Sequence, residues 1–273
     1  MGLPLIEMVD LHSHIIPEFD DGCRSLEESL QLATNQSNAG TRTLFATPHV
    51  ESEVDIQSSG RILERVSELN CAIQKHGIPL EVVPGAELYP CSSVLRGLDS
   101  GAPITLGVNG KYVLIDLPHT NMVPFDFEWV LFEIVTRGIT PILAHPERSP
   151  YFQGQLEKVE TFLDHGVVFQ VNAGSFVGRH GSGAQEFAEI LFAERLAQFL
   201  ASDAHHGKSR TLGHVASMLS TPGNEEYVRF LTVDSGQAVL NGWPLPGRPE
   251  PVQEEEKQPW YSWLTRKSAR NVL

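Results

Sequence analysis

Met8-Val9-Asp10-Leu11-His12-Ser13-His14 reads as a short buried strand that runs straight into two histidines. Residues two apart on an extended chain face the same side, so His12 and His14 can grip one ion. The same grammar recurs along the sequence. Thr43-Leu44-Phe45-Ala46 leads into Thr47-Pro48-His49, residues 80–83 into Gly85-Ala86-Glu87, and Tyr112–Ile115 into Asp116. Thr140–Ala144 leads into His145-Pro146-Glu147-Arg148, and residues 198–201 into Ser202-Asp203-Ala204-His205, where Asp203 and His205 repeat the two-residue spacing. One histidine at a strand end is most often structural. Six strand ends bearing His or acid at the same relative place are not.

Helices fill the gaps between these strands. Ser25 and Glu28 form a capping-box signature for a helix that ends at Gly40. Ile62, Val66, Leu69 and Ile73 recur at helical spacing before Gly77. Helices ending at Gly138 and Gly166 precede strands at 140–144 and 167–171, and a Ser182/Gln185 box opens another helix. Apolar strands alternating with helices imply a parallel sheet. About seven such strands predict a closed or nearly closed β/α barrel, with an open doubly wound sheet as the alternative. In barrels the reactive groups sit at the carboxyl ends of the strands, which is where these donors fall.

Imidazole and carboxylate without thiolate suit Mn²⁺, Fe or Zn²⁺, and the number of carboxylates favours the harder ions. Asp10 reads as an orienting group behind the His12/His14 pair. His76 and His165 precede helix-terminal glycines, where a cation suits the helix dipole. His119, His180, His206 and His214 have no spacing partner and read as structural or surface residues.

Composition narrows the function. The 273 residues are 41% hydrophobic and 20% charged, with 20 Lys and Arg against 34 Asp and Glu, a net charge of −14. Such a surface repels a nucleic-acid backbone, although bound cations can still create a local phosphate site. No apolar run reaches the ~20 residues of a membrane span. The start, MGLPLIEMVD, lacks a basic n-region, and Ile6 stands where a myristoylation signal needs Ser or Thr. A cytoplasmic location without membrane insertion is expected. Cys23, Cys71 and Cys91 are odd in number and far apart, as for reduced thiols. Cys91 and Arg96 have one residue too few between them for a thiol-phosphatase loop, so cysteine is not the expected nucleophile.

From Gly242 the character changes. Pro244, Pro246, Pro249, Pro251 and Glu254-Glu255-Glu256 read as a linker, followed by Trp260, Tyr261, Trp263 and Leu264, then Arg266, Lys267 and Arg270. The division is a catalytic unit at 1–243 and a tail at 244–273. The tail reads either as loose or packed on its own barrel, or as a docking segment for a partner or an anionic surface.

His12-Ser13-His14, Asp20-Asp21-Gly22, Ala46-Thr47-Pro48-His49, His145-Pro146-Glu147-Arg148 and Ser202-Asp203-Ala204-His205 together resemble the PHP (polymerase and histidinol phosphatase) superfamily. The Asp-Asp-Gly and His-Pro-Glu-Arg elements resemble its bacterial manganese-dependent protein-tyrosine phosphatases of capsule and exopolysaccharide systems. The likeness spans Val9 to Leu240 and leaves the tail outside. It implies a distorted (β/α)7 TIM-like barrel with a trinuclear centre of Mn²⁺, Fe or Zn²⁺. By the same resemblance His12, His14, Glu87 and Asp203 would hold one ion. Glu87 would bridge to a second, completed by Asp116 and His145, and Asp21, His49 and His205 would hold a third. Asp116 stands where the relatives carry glutamate. Arg148 and Arg210 match the family's phosphate-side arginines, with Arg179 a weaker third. The implied reaction is hydrolysis of phosphotyrosine by a metal-bound hydroxide, without a phosphoenzyme, on a bacterial tyrosine kinase of exopolysaccharide synthesis. The rivals are a small-molecule phosphomonoesterase or phosphodiesterase and a non-catalytic PHP interaction module.

Overall fold

In the computed structural model the described residues are 7–117, 123–207 and 211–250. Short buried runs between polar turns give nine strands among them: β1 (Met8–Asp10), β2 (Thr41–Ala46), β3 (His49–Val50), β4 (Glu81–Pro84), β5 (Glu87–Leu88), β6 (Tyr112–Ile115), β7 (Thr140–Ala144), β8 (Val168–Asn172) and β9 (Phe199–Ala201). All pair in parallel, in the orders β1-β2-β4 and β3-β5-β6-β7-β8-β9. Only Thr47-Pro48 separates β2 from β3, and only Gly85-Ala86 separates β4 from β5. Pro48 has no N–H to give the ladder, so regular pairing lapses there. Hydrogen bonds still bridge the break, Gly85 N to Ala46 O at 2.9 Å and Glu87 N to Pro48 O at 3.0 Å. The segments beyond β1 and β9 also meet, with His14 N donating to Ala204 O at 2.9 Å and Asp203 N to His12 O at 3.0 Å. The result is a parallel, TIM-barrel-like β/α architecture.

The apolar residues form two separate cores. The outer one lies between strands and helices and takes in Ile62, Val66, Leu69 and Ile73 of α3 (Gly60–Lys75), the stripe the sequence predicts. The inner one gathers Val9, Leu11, Phe45, Val83, Tyr112, Leu114, Ile142 and Phe199 from six strands or their ends, plus Leu106 and Val239. Val239 belongs to α10 (Ser235–Asn241), which covers the amino ends of the strands. Its approach is close: a Cβ on Gly236 would stand 2.5 Å from the Val9 Cβ, so no larger residue fits. Asn109 Nδ2 donates to Val239 O at 2.7 Å, and the Tyr112 hydroxyl donates to Trp243 O. Leu245 packs against the same core, so the chain just past 243 still touches the floor beneath the strands.

Two capping expectations change. Ser25 caps α1 (Leu26–Asn38) by accepting from Glu28 N, but the Glu28 carboxylate turns to Arg24 N at 2.9 Å and leaves the box half made. Ser182 is not a cap. Gly181, at φ +89°, turns the chain, and α7 (Ser182–Ala193) starts with Ser182 already helical. His76 and His165 follow the last turns of their helices, each ring Nδ1 meeting the carbonyl four residues back. Among the described residues no helix is long and apolar enough to cross a membrane.

Candidate metal centre

Nine predicted donors converge at the carboxyl ends of the strands. His12, His14, Glu87, His145 and Asp203 are buried; Asp21, His49, Asp116 and His205 lie toward solvent. Their donor atoms form four overlapping groups: His14/Asp21/His49/His205, His12/His145/Asp203, His12/His14/Glu87 and His49/Glu87/Asp116. Within each group all atoms lie within 4.8 Å of one another.

The innermost set is the tightest. His12 Nε2 lies 3.2 Å from Glu87 Oε2 and 3.4 Å from Asp203 Oδ1, and His14 Nε2 lies 3.3 and 3.5 Å from the same two oxygens. The two Nε2 atoms are 3.3 Å apart. Donors about 2.0–2.2 Å from a common ion stand about 3.0–3.6 Å from each other, so these contacts match the edges of a coordination polyhedron. The Glu87 oxygens face different donors. Oε2 meets His12, His14 and His49, while Oε1 lies 3.1 Å from His145 Nε2. That division is what a bridging carboxylate needs. Asp116 Oδ1 stands 3.7 Å from His145 Nε2, buried and without a hydrogen-bond partner. At the outer end Asp21 Oδ1 is 3.6 Å from both His49 Nε2 and His205 Nε2. Asp203 and His205 do not repeat the His12/His14 geometry. Asp203 takes φ +50°, which breaks the extended chain, and the two residues join different groups.

Backbone and hydrogen bonds fix these positions. His145, at φ +37°, is left-handed like Asp203, a conformation that costs about 1–3 kcal/mol and is held by its surroundings. His145 N donates to Gln170 O at 2.7 Å. A Cβ on Gly22 would fall 2.1 Å from His14 O, so the Asp20-Asp21-Gly22 loop reaches the site only with glycine at its end. Asp20, not singled out from sequence as a site residue, meets His14 Nδ1 at 2.6 Å. Asp10 orients backbone rather than the His12 ring, since its Oδ1 accepts from Ser202 N at 3.0 Å. The ring partner of His12 Nδ1 is Gln170 Oε1 at 2.9 Å, and Asn172 Nδ2 donates to Asp203 Oδ2 at 2.8 Å. Both lie on β8, the strand whose end carries no His or acid. Two polar side chains two residues apart in an apolar strand were the available signal. Glu147, from the His-Pro-Glu-Arg run, accepts from Asn172 N at 3.0 Å and Ser175 Oγ at 2.6 Å.

Electrostatics follows from mutual burial. Burial pushes the His12 pKa down, but Glu87 and Asp203 outweigh it and raise it to about 9. Burial disfavours the ionised Glu87 and Asp203, yet the histidines hold both below the usual carboxylate range. Burial holds His145 down at about 4 and, with Glu87 beside it, raises Asp116 to about 7. A group of imidazoles and carboxylates with no thiolate fits divalent cations such as Mn²⁺, Fe²⁺ or Zn²⁺.

Arg148 sits at this cluster, its Nη1 2.8 Å from Asp203 Oδ2. Arg179 is exposed on its turn, while Arg210 and His119 lie outside the described residues. Burial pushes the Cys23 thiol up to about 11, Cys91 packs against the outer core with its Sγ 3.0 Å from Ser93 Oγ, and Cys71 is exposed.

Fold and cluster together define a class: TIM-barrel-like β/α proteins with an imidazole–carboxylate centre composed for divalent cations. Within it, the chain belongs to the CpsB/CapC family of capsular polysaccharide synthesis, whose family model matches residues 8–241. It is similar to the tyrosine-protein phosphatase YwqE of Bacillus subtilis (strain 168), at 32% identity over 252 residues, 91% of this chain and 98% of that protein. The putative tyrosine-protein phosphatase CapC of Staphylococcus aureus is 27% identical over 262 residues, 94% of this chain and all of that protein. Among solved structures, the chain resembles one described with crystal structures of YwqE from Bacillus subtilis and CpsB from Streptococcus pneumoniae, unique metal-dependent tyrosine phosphatases. The TM-score is 0.78 at 28% identity, covering 90% of this chain and 100% of that one. Dihydropyrimidinase from Brevibacillus agri NCHU1002 shares the fold alone, at TM-score 0.52 and 10% identity, covering 88% of this chain and 72% of that one.

Proposed function

We propose that this protein is a metal-dependent protein-tyrosine phosphatase acting on a tyrosine-phosphorylated protein, a bacterial tyrosine kinase of exopolysaccharide synthesis. The observation that carries the reading is the convergence of nine His, Asp and Glu donors into groups whose atoms lie within 4.8 Å of one another, in a member of the CpsB/CapC family. His12, His14, Glu87 and Asp203 would hold one ion, Glu87, Asp116 and His145 a second, and Asp21, His49 and His205 a third. Mn²⁺ is the preferred ion, with Fe and Zn²⁺ as alternatives. Divalent ions in such a site supply an activated water and a clamp for phosphate oxygens. The chain's own residues bind and orient. Arg148, anchored on Asp203, lies where a guanidinium can add charge-assisted hydrogen bonds to a phosphoryl oxygen. Arg210, which matches the family's other phosphate-side arginine, is assigned the same duty. Gln170 and Asn172 fix the His12 ring and the Asp203 carboxylate.

The two separate cores, the paired halves of the broken strands and the contact between the segments after β1 and β9 support a (β/α)7 barrel that closes on itself. Residues 1–243 form the phosphatase unit and 244–273 a tail outside the chemistry, and the protein works in the cytoplasm. Side-by-side turnover of a phosphotyrosine peptide, histidinol phosphate and a phosphodiester with Mn²⁺ tests the reading. The peptide is expected to be the preferred substrate. Preference for either small molecule would replace it with a small-molecule phosphatase, and turnover of none would leave a binding module.

A further inference from the structure

A groove on the outer shell lies far from any use in the chemistry. α5 (Phe127–Thr136) and α6 (Leu156–Asp164) enclose a cavity of about 380 Å³ lined by Glu128, Trp129, Phe132, Phe162, His165 and Val167. Trp129 and Phe132 are 50% and 56% exposed, and Phe125 just ahead of the helix is fully exposed. Trp129 and Phe132 stand three apart on α5 and so share one helix face, with Phe125 exposed in the turn just ahead of it. Large aromatic side chains grouped in this way mark a contact surface.

We propose that the aromatic-basic segment 260–270 of this same chain docks in the groove between α5 and α6. Three observations favour that occupant. The described chain leads there: Pro246 and Arg248 line a cavity shared with Glu160, Leu163 and Asp164 of α6. The groove opens on the next face of that helix. From 250 to 260 an extended chain reaches up to about 33–36 Å. Packed helix axes are only about 8–10 Å apart, so the distance is easily spanned. Trp260, Trp263 and Leu264 stand at i, i+3 and i+4, so a helical turn would present them together, matching an apolar slot. Charge agrees as well. Arg266, Lys267 and Arg270 follow the aromatic residues, and exposed Glu128, Glu157, Glu160 and Asp164 border the groove.

Photo-crosslinking in the full-length chain tests the docking. A benzophenone-bearing amino acid replaces Tyr261, and isotopically labelled and unlabelled protein are mixed so that crosslinks within and between chains differ in mass. Crosslinks within one chain to 125–132 and 161–167 are expected. Trp129→Glu should lower their yield at least about fivefold, because a charge in an apolar slot is costly to bury. Leu63→Glu, on the exposed side of α3, should leave it unchanged. Phe132→Ser serves the same purpose should Trp129→Glu fail to match the wild-type circular dichroism. Crosslinks between chains at the groove would assign it to a second copy, and crosslinks elsewhere or none would remove the tail from it. Each of these overturns the proposal.

Discussion

The two ends of the strands are opposites. Toward the amino ends Val9, Tyr112, Phe199 and Val239 close the interior with apolar side chains. Each large side chain buried in this way contributes about 1.5–3 kcal/mol. At the carboxyl ends the equally buried groups are His12, His14, Glu87, His145 and Asp203. Charges taken out of water stabilise a fold little even when paired, and removing one partner strands the other. One end therefore carries stability and the other carries chemistry. Substitutions at the two ends should fail in different assays.

The largest effect should come from emptying the chemical end. Chelation should abolish phosphotyrosine turnover and Mn²⁺ should restore it, while alkylating Cys71 and Cys91 leaves it intact. Activity that survives demetallation and dies on alkylation would overturn the mechanism. The ion also competes with protons. His12 without metal is raised to about 9, so below that pH an ion must displace its proton. Binding should release protons, and affinity should weaken as pH falls; calorimetry in buffers of different ionisation enthalpy would read both.

Next comes the floor. Phe199→Ala should cost about 3–5 kcal/mol in denaturant unfolding, yet leave metal content near wild type. Metal loss in folded protein would mean that the two ends are not separate. Arg148→Ala should cost about 2–5 kcal/mol in kcat/KM, as for a desolvated charge-assisted contact. Because Arg148 also holds Asp203, Arg148→Lys distinguishes the roles. A lysine that keeps the metal but not the rate supports phosphate binding, and an alanine as active as wild type would leave only the ion pair. Asp116→Ala should lower occupancy of the second ion and reduce turnover, with Asp116→Glu far better tolerated. Full metal and full activity in the alanine variant would exclude Asp116 from the centre. The smallest effect is expected from deleting 251–273, which leaves Leu245 on the floor and every donor in place. Turnover of a small phosphotyrosine mimic should stay at the wild-type rate, and a folded truncation that loses it would tie the tail to the site.

What was legible in the sequence follows the same division. Most donors could be read because they interrupt an apolar strand at its end, so His12, Glu87 and His145 announce themselves one residue at a time, whereas Asp21, in a loop, came only from the family likeness. Their grouping required long-range closure, as when Asp21 meets His205 from the other end of the chain. Gln170 and Asn172 escaped because neutral amides carry no charge pattern and their strand ends in no acid or histidine. The split of β2 from β3 at Pro48 depends on pairing rather than propensity. Ser182 failed as a cap because Gly181 decides the turn first, and the helix α10 over the floor has no counterpart in the motif grammar.

The donors stand on backbone that is already tied down. His14, Glu87, Asp116, His145 and Asp203 each donate their own amide to a neighbouring carbonyl, and His49 N donates to the Asp20 carboxylate. The entropy of gathering the ligands is therefore spent when the chain folds, not when an ion arrives. Such preorganisation selects by the hardness and charge of the ion more than by an adaptive change of shape. It also lets ions come and go without a folding step. Apo and loaded protein should accordingly share one far-ultraviolet circular dichroism spectrum, and the rate of ion entry should be set by proton loss at His12 and His14.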